Sequence, residues 1–99
     1  MSNPLNLEYT PRFKRDYKRL QSKGRDVSRL HELFALIREN SNASQETLRT
    51  RHRMHTLSGQ WDGSNECHVC NAGDWLLVWK VHDGIAYLQR TGTHNEIFR

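Results

Sequence analysis

The chain has 99 residues, with 15 Lys or Arg against 11 Asp or Glu and a formal charge of +4. That length supports one hydrophobic core and excludes two, so residues 1–99 are read as a single domain. Cys67 and Cys70 are the only cysteines, too few for a disulfide framework, and no apolar run is long enough to span a bilayer.

The charge is unevenly spread. Residues 1–53 hold twelve Lys/Arg and six Asp/Glu, a net +6, whereas residues 54–99 hold three against five, a net −2. A cationic N-terminal half suits a polyanion such as RNA or an acidic protein partner, although a merely solvated helix surface accounts for the charge equally well. The opening Met1-Ser2-Asn3-Pro4 has no cationic segment followed by an apolar one, so a soluble cytoplasmic protein is expected.

In chain order, Leu5-Asn6-Leu7-Glu8-Tyr9 alternates apolar and polar residues and predicts a half-buried strand. Thr10-Pro11 supplies an N-cap and a first-turn proline. Phe13, Tyr17 and Leu20 then recur at helical spacing among Arg12, Lys14, Arg15, Lys18 and Arg19, until Gly24 stops the helix. A second helix is predicted from about Asp26 to Asn40, with Val27, Leu30, Phe34 and Ile37 as its buried stripe and Leu33 and Leu36 widening it. The short link makes the two helices antiparallel neighbours. Residues 41–53 show no clean period and are read as a connection holding at most a helical turn at 45–50.

The densest apolar segment is Asp74-Trp75-Leu76-Leu77-Val78-Trp79-Lys80-Val81. Bulky residues on both parities describe a strand buried on both faces, hence the central strand of a sheet. Asp83-Gly84 and Ile85–Thr91 complete a hairpin with a tight turn. The order is strand, helix, helix, then three antiparallel strands and a short tail: an α+β fold with both helices on one face of a small sheet. If the hairpin strands are antiparallel neighbours, the start of one and the end of the next share an edge. His68, Asp74, Arg90 and His94 then converge there.

Four ordered stretches carry a resemblance. His55-Thr56-Leu57-Ser58-Gly59-Gln60-Trp61-Asp62-Gly63, Cys67-His68-Val69, Asp74-Trp75-Leu76-Leu77-Val78-Trp79-Lys80 and Arg90-Thr91-Gly92-Thr93-His94-Asn95-Glu96-Ile97-Phe98 resemble successive motifs of YafQ-type toxins, members of the RelE/ParE superfamily of type II toxin–antitoxin systems. The resemblance implies an mRNA interferase: a metal-independent endoribonuclease that cuts messenger RNA in the ribosomal A site and is restrained by a cognate antitoxin. It implies no cofactor. Carried over position by position, it points to His55, His68, Asp74, His94 and Phe98 as the active-site set, with Trp75 nearby. Between Val69 and Asp74 the stretch Cys70-Asn71-Ala72-Gly73 is about two residues longer than the pattern, which bears on where Asp74 sits relative to His68.

The residue types suit that chemistry. Metal-free RNA cleavage uses the neighbouring 2′-hydroxyl as nucleophile and needs a base for it, an acid for the leaving 5′-oxygen and positive charge for the phosphate. Imidazole, with an ordinary pKa of about 6.5, fills either proton role. His94 is the expected acid, and His68 or Asp74 the base. Arg90 and Lys80 are expected to neutralise phosphate, and Phe98 or Trp75 to stack on an unpaired base. Against these stand plainer roles: Asp74 capping a turn, Phe98 sealing the sheet edge, and Trp75 and Trp79 as core. Leu57 and Trp61 read as anchors, with Gly59 and Gly63 permitting the path between them. His31 and His82 match no motif and are assigned to the surface. Cys67-His68-Val69-Cys70 with His52 and His55 offers the donor types of a zinc site, but residues three apart on a strand point to opposite faces, so no metal is assigned. The alternatives are a ParE-like toxin acting on DNA gyrase through protein contacts, or an RNA- or protein-binding module using only its basic helices.

Overall fold

The apolar run forms the middle strand of a five-stranded sheet. The structure, a computed structural model, describes residues 3–70 and 73–98. The N-terminal reading at Met1 and Ser2 and the lengthened turn at Asn71 and Ala72 lie outside the described residues, as does Arg99.

In chain order the elements are β1 (Asn6–Tyr9), α1 (Pro11–Ser22), α2 (Ser28–Glu39), α3 (Asn42–His52), β2 (His55–Thr56), a single 3₁₀ turn (Gly59–Trp61), β3 (Asn65–His68), β4 (Leu76–His82), β5 (Ile85–Gly92) and α4 (His94–Phe98). The sheet order is β1-β5-β4-β3-β2. β1 runs parallel to β5, and the other neighbours are antiparallel. This is the expected α+β architecture with three additions: a third helix, α3, a fourth C-terminal strand, β2, and a helical tail.

Local chemistry explains the boundaries. Thr10 accepts the Phe13 amide through its hydroxyl, and Pro11 occupies the first turn, where its missing N–H costs nothing. The β4–β5 hairpin closes through Asp83 (φ 51°) and Gly84 (φ 76°), the paired left-handed conformations of a type I′ turn. α1 and α2 meet through Phe13–Phe34, centroids 5.9 Å apart, and through the Tyr17 hydroxyl and His31 Nε2 at 2.9 Å. The later α1 residue meets the earlier α2 residue, so the helices are antiparallel. His31 is therefore exposed but engaged.

Residues 41–53 correct the sequence reading, for they are a helix almost throughout. Ser41 and Ser44 form a reciprocal capping box, each hydroxyl taking the other's backbone N–H. The helix buries only Ser44 and Leu48, too few residues for a visible period. It ends at Arg53, whose φ of 51° reverses the chain into β2.

The two faces of the sheet are unequal. Leu77, Trp79, Ala86, Leu88 and Cys67 join Phe13, Leu20, Leu30, Leu33, Phe34, Ile37 and Leu48 in the main core under α1, α2 and α3. On the opposite face Leu76, Val78 and Ile97 form a small cluster flanked by Leu57 and Trp61. β4 is thus covered on both sides, the second time by the α4 tail.

Candidate active site

Strand parity puts the polar residues on the thin face. Glu66 pairs with Val78 and His68 with Leu76, so both project from the α4 side. His55 pairs with Glu66 across β2 and β3 and shares that side. Its Nε2 donates to Glu66 Oε1 at 2.9 Å. Glu66 is buried at 4% exposure, an unusual place for a carboxylate without such a donor. Sequence reading passed over Glu66, although its place two residues before His68 on one strand was a usable signal.

The other half of the site comes from the ends of the hairpin. Leu76 lies opposite Gly92, which brings the residues before β4 beside those after β5. Asp74 accepts the His94 backbone N–H at 3.1 and 3.2 Å through its two oxygens and the His94 Nδ1–H at 2.8 Å. One carboxylate thereby holds the first residue of α4 and fixes its ring. Burial opposes ionisation of Asp74, but the hydrogen bonds from the His94 ring and amide outweigh it and hold its pKa below the ordinary carboxylate value. With Nδ1 committed to an ionised partner, Nε2 is the nitrogen left for proton transfer.

The His68 and His94 rings are 6.4 Å apart. Burial lowers the His68 pKa, and the Arg53 charge lowers it further against the opposing pull of Glu66. Its imidazole is consequently neutral at lower pH than an ordinary histidine. Phe98, 37% exposed, lies 6.2 Å from the His94 ring and stands edge-on to Trp61 at 5.7 Å. It offers an aromatic face beside the imidazoles. His55, His68, Asp74, His94 and Phe98 are therefore gathered on one side of the sheet.

Two of the three predicted substrate contacts are placed elsewhere. Arg90 is 8% exposed, and its Nε and Nη2 donate to Asp16 at 2.7 and 3.2 Å. Its Nη2 also donates to the Glu96 carbonyl at 3.1 Å. The guanidinium is consumed within the fold and is not available to phosphate; it secures α4 instead. Desolvation works against an ionised Asp16, yet hydrogen bonds from Arg90, Arg19 and the Thr91 amide hold its pKa below the ordinary value. Trp75 is 2% exposed and its indole N–H donates to Thr91 Oγ1 at 2.9 Å, so it is core and not a base platform. Lys80 is exposed and shares parity with Leu76 and Val78, but lies four residues from Leu76, about 13 Å along the strand.

The tail is anchored from α1 as well. The Arg19 guanidinium lies 3.2 Å from the Glu96 carboxylate, which also accepts the Thr93 amide at 2.8 Å. A Cβ at Gly92 would come within 2.6 Å of that carboxylate, and its φ of 148° disfavours any side chain. Only glycine lets the tail fold back.

Cys67 is fully buried in the main core, and burial pushes its thiol far above the ordinary value, away from the thiolate a metal needs. Among the described residues no group of three or more His, Cys, Asp or Glu is arranged to hold an ion.

Residues 5–99 match the model of a family described as the bacterial toxin of type II toxin–antitoxin system, YafQ. The chain belongs to the YafQ toxin family. The mRNA interferase toxin YafQ of Escherichia coli K12 is 31% identical over 93 residues, 94% of this chain and 95% of that protein. The crystal structure of YafQ from E. coli BL21(DE3) superposes with a TM-score of 0.82 at 29% identity, covering 96% of this chain and 99% of that one. YafQ in the E. coli DinJ–YafQ toxin–antitoxin complex gives a TM-score of 0.80 at 30% identity, covering 97% and 99%. A copper-bound mutant toxin from Helicobacter pylori gives 0.82 at 32% identity, covering 95% and 99%. The YafQ fold is thus present over nearly the whole chain, helical α3 region included. Among the described residues no helix is long and apolar enough to cross a membrane.

Proposed function

We propose that this YafQ-family toxin cleaves messenger RNA in the ribosomal A site by metal-independent acid–base chemistry, with His68 as general base and His94 as general acid. Family membership supplies the coarser statement: the chain is an mRNA interferase, an endoribonuclease of a type II toxin–antitoxin system with an antitoxin as its partner. The observation that carries the finer reading is the Asp74–His94 contact at 2.8 Å with the His68 ring 6.4 Å away. That separation accommodates one phosphodiester, because each imidazole needs to lie within roughly 3 Å of the atom it serves.

Neutral His68 removes the proton of the 2′-hydroxyl, whose oxygen attacks the adjacent phosphorus. The P–O5′ bond breaks, and the leaving oxygen takes a proton from Nε2 of the His94 imidazolium. The products are a 2′,3′-cyclic phosphate and a 5′-hydroxyl. Asp74, already committed to His94, acts as its orienting partner and not as the base. Glu66 holds the His55 ring on the same face, beside the scissile phosphate. Phe98 provides the stacking surface for a base presented unpaired. Lys80 is positioned for a more distant phosphate.

The test is cleavage of mRNA on programmed ribosomes by the parent protein and His94→Ala, alongside thermal melting of both. The variant should lose roughly two to four orders of magnitude in rate, with little change in melting because the His94 ring is largely exposed. Near-parent cleavage by His94→Ala would remove it from the mechanism. Products carrying 3′-hydroxyl ends, or activity abolished by a chelator selective for transition metals, would overturn the metal-independent part. A gyrase-directed toxin needs neither carboxylate–imidazole contact and should cleave nothing.

A further inference from the structure

With Arg90 held by Asp16, the mechanism has no guanidinium at the substrate phosphates. The chain leading from α3 into β2 supplies another cation. β2 pairs only with Asn65 and Glu66, so the carbonyl of His68 projects beyond its end. His52 takes that carbonyl through its Nδ1–H at 2.8 Å. Three residues later His55 is bonded to Glu66, two residues before His68. Arg53 lies between these two attachment points, exposed, at the left-handed C-cap of α3. His52 and His55, on either side of Arg53 and Met54, are thus tied to the strand that carries His68.

Beyond it opens a polar cleft of about 490 Å³ between α2, α3 and the end of β3, lined by Arg29, Glu32, Arg51, His52 and Cys70 among others. Arg29 and Arg51 set two guanidiniums against the one carboxylate of Glu32. The wall of the cleft includes Val69, the residue after His68. Val69 itself faces the helix-covered core, and it is His52, lining the cleft and bonded to the His68 carbonyl, that joins the cleft to the end of the strand carrying the catalytic histidine.

We infer that Arg53, with Arg51 and Arg29 behind it, binds consecutive phosphates of the single-stranded RNA whose scissile bond lies between His68 and His94. This rests on the RNA-cleaving reading and adds to it the path of the strand. The proximity of Arg53 has a second consequence: its charge is one of the causes that lower the His68 pKa. Arg53 therefore acts both on the substrate and on the base.

The experiment measures affinity of the parent, Arg53→Gln, Arg53→Lys and Arg51→Gln for ribosomes programmed with an mRNA carrying 2′-deoxy sugars in the A-site codon, across a range of salt. Single-turnover cleavage of the all-ribose mRNA is followed against pH in parallel. Losing one phosphate contact should flatten the slope of log affinity against log salt by about 0.7. The Arg53→Gln and Arg51→Gln variants should each show that change. Arg53→Lys should restore the slope. The acid limb of the Arg53→Gln pH profile should move to higher pH, because the repelling charge on His68 is gone; a purely structural role would not move it. Melting identifies any variant that fails to fold, in which case Arg51→Gln carries the test. Equal slopes for all folded variants would overturn the phosphate path while leaving the nuclease reading intact. Absence of cleavage by the parent would overturn the nuclease reading while the slopes still decide the phosphate path.

Discussion

The helix-covered face of the sheet and the α4-covered face use the same strands for opposite ends. On the first, side chains from α1, α2 and α3 close over Leu77, Trp79 and Leu88, and Cys67 is pressed into an inert thiol. On the second, Leu76, Val78 and Ile97 suffice to seat a five-residue helix, and the remaining surface is given to Glu66, His55, His68 and His94. Alternation along β3 and β4 sends each consecutive residue to one role or the other. A stable face makes an adaptable one affordable: the imidazoles need only be aimed, because the other side holds the sheet.

The strongest way to break this division is through the network that joins the faces. Asp16 on α1 holds Arg90, which in turn holds the Glu96 carbonyl of α4. Asp16→Ala leaves a buried guanidinium unpaired and should cost about 3–5 kcal/mol, read from denaturant unfolding. The linkage has a definite sign. Asp16 has a depressed pKa in the fold, so its contribution is present above the ordinary carboxylate range and is lost as pH falls through the depressed value. The parent should lose stability on acidification more steeply than the variant.

Next in size is Leu77→Ala, on the helix-covered face, which should cost about 2–5 kcal/mol through lost burial and the cavity left behind. Cleavage per folded molecule should be close to that of the parent. A proportionate loss of catalytic rate would show that the two faces are not separable.

That separability was only partly legible in the sequence. The central strand and its hairpin could be read because an apolar run on both parities and an Asp-Gly pair each have one dominant solution. The gathering of His68, Asp74 and His94 followed from antiparallel geometry alone. Helix α3 could not be read: a helix burying little beyond Leu48 carries almost no periodicity, and its capping box uses Ser44 where Glu or Gln would announce it. Arg90 was misplaced for a different reason. Its partner Asp16 is 74 residues away, and nothing local says that a strand-end arginine faces inward. Glu66 lies two residues before His68 on one strand, so strand parity puts both on the same face.

A finer probe of the α4 face is Asp74→Asn. The amide can still accept the His94 backbone N–H, as asparagine caps helices nearly as well as aspartate. What it removes is the negative charge on the group that accepts the His94 Nδ1–H and fixes its ring. Because the Asp74 side chain is 48% exposed, solvent screens part of that effect. The expected loss is roughly tenfold in cleavage rate, about 1.4 kcal/mol in activation free energy, with melting nearly unchanged. A loss as large as that of His94→Ala would instead make Asp74 a direct participant.

The smallest expected effect concerns pH and separates the two candidate bases. His68 is faced by Arg53 from the α3 C-cap, Glu66 from its own strand, His55 from β2 and His94 from α4, and desolvation leads the causes that lower its pKa. A general base works when deprotonated, so the rate should rise with pH through that lowered value and reach its plateau at a lower pH than an ordinary imidazole base would. Stability carries the same sign. Between the lowered folded pKa and the ordinary unfolded one, the unfolded chain binds a proton that the folded chain does not, so stability falls as pH falls through that window. His68→Gln should erase this limb from the residual rate and flatten the corresponding part of the stability curve. If Asp74 were the base, the limb would persist in His68→Gln and lie in the carboxylate range, which a profile of cleavage rate from pH 4 to 8, flanked by melting at each pH, distinguishes directly.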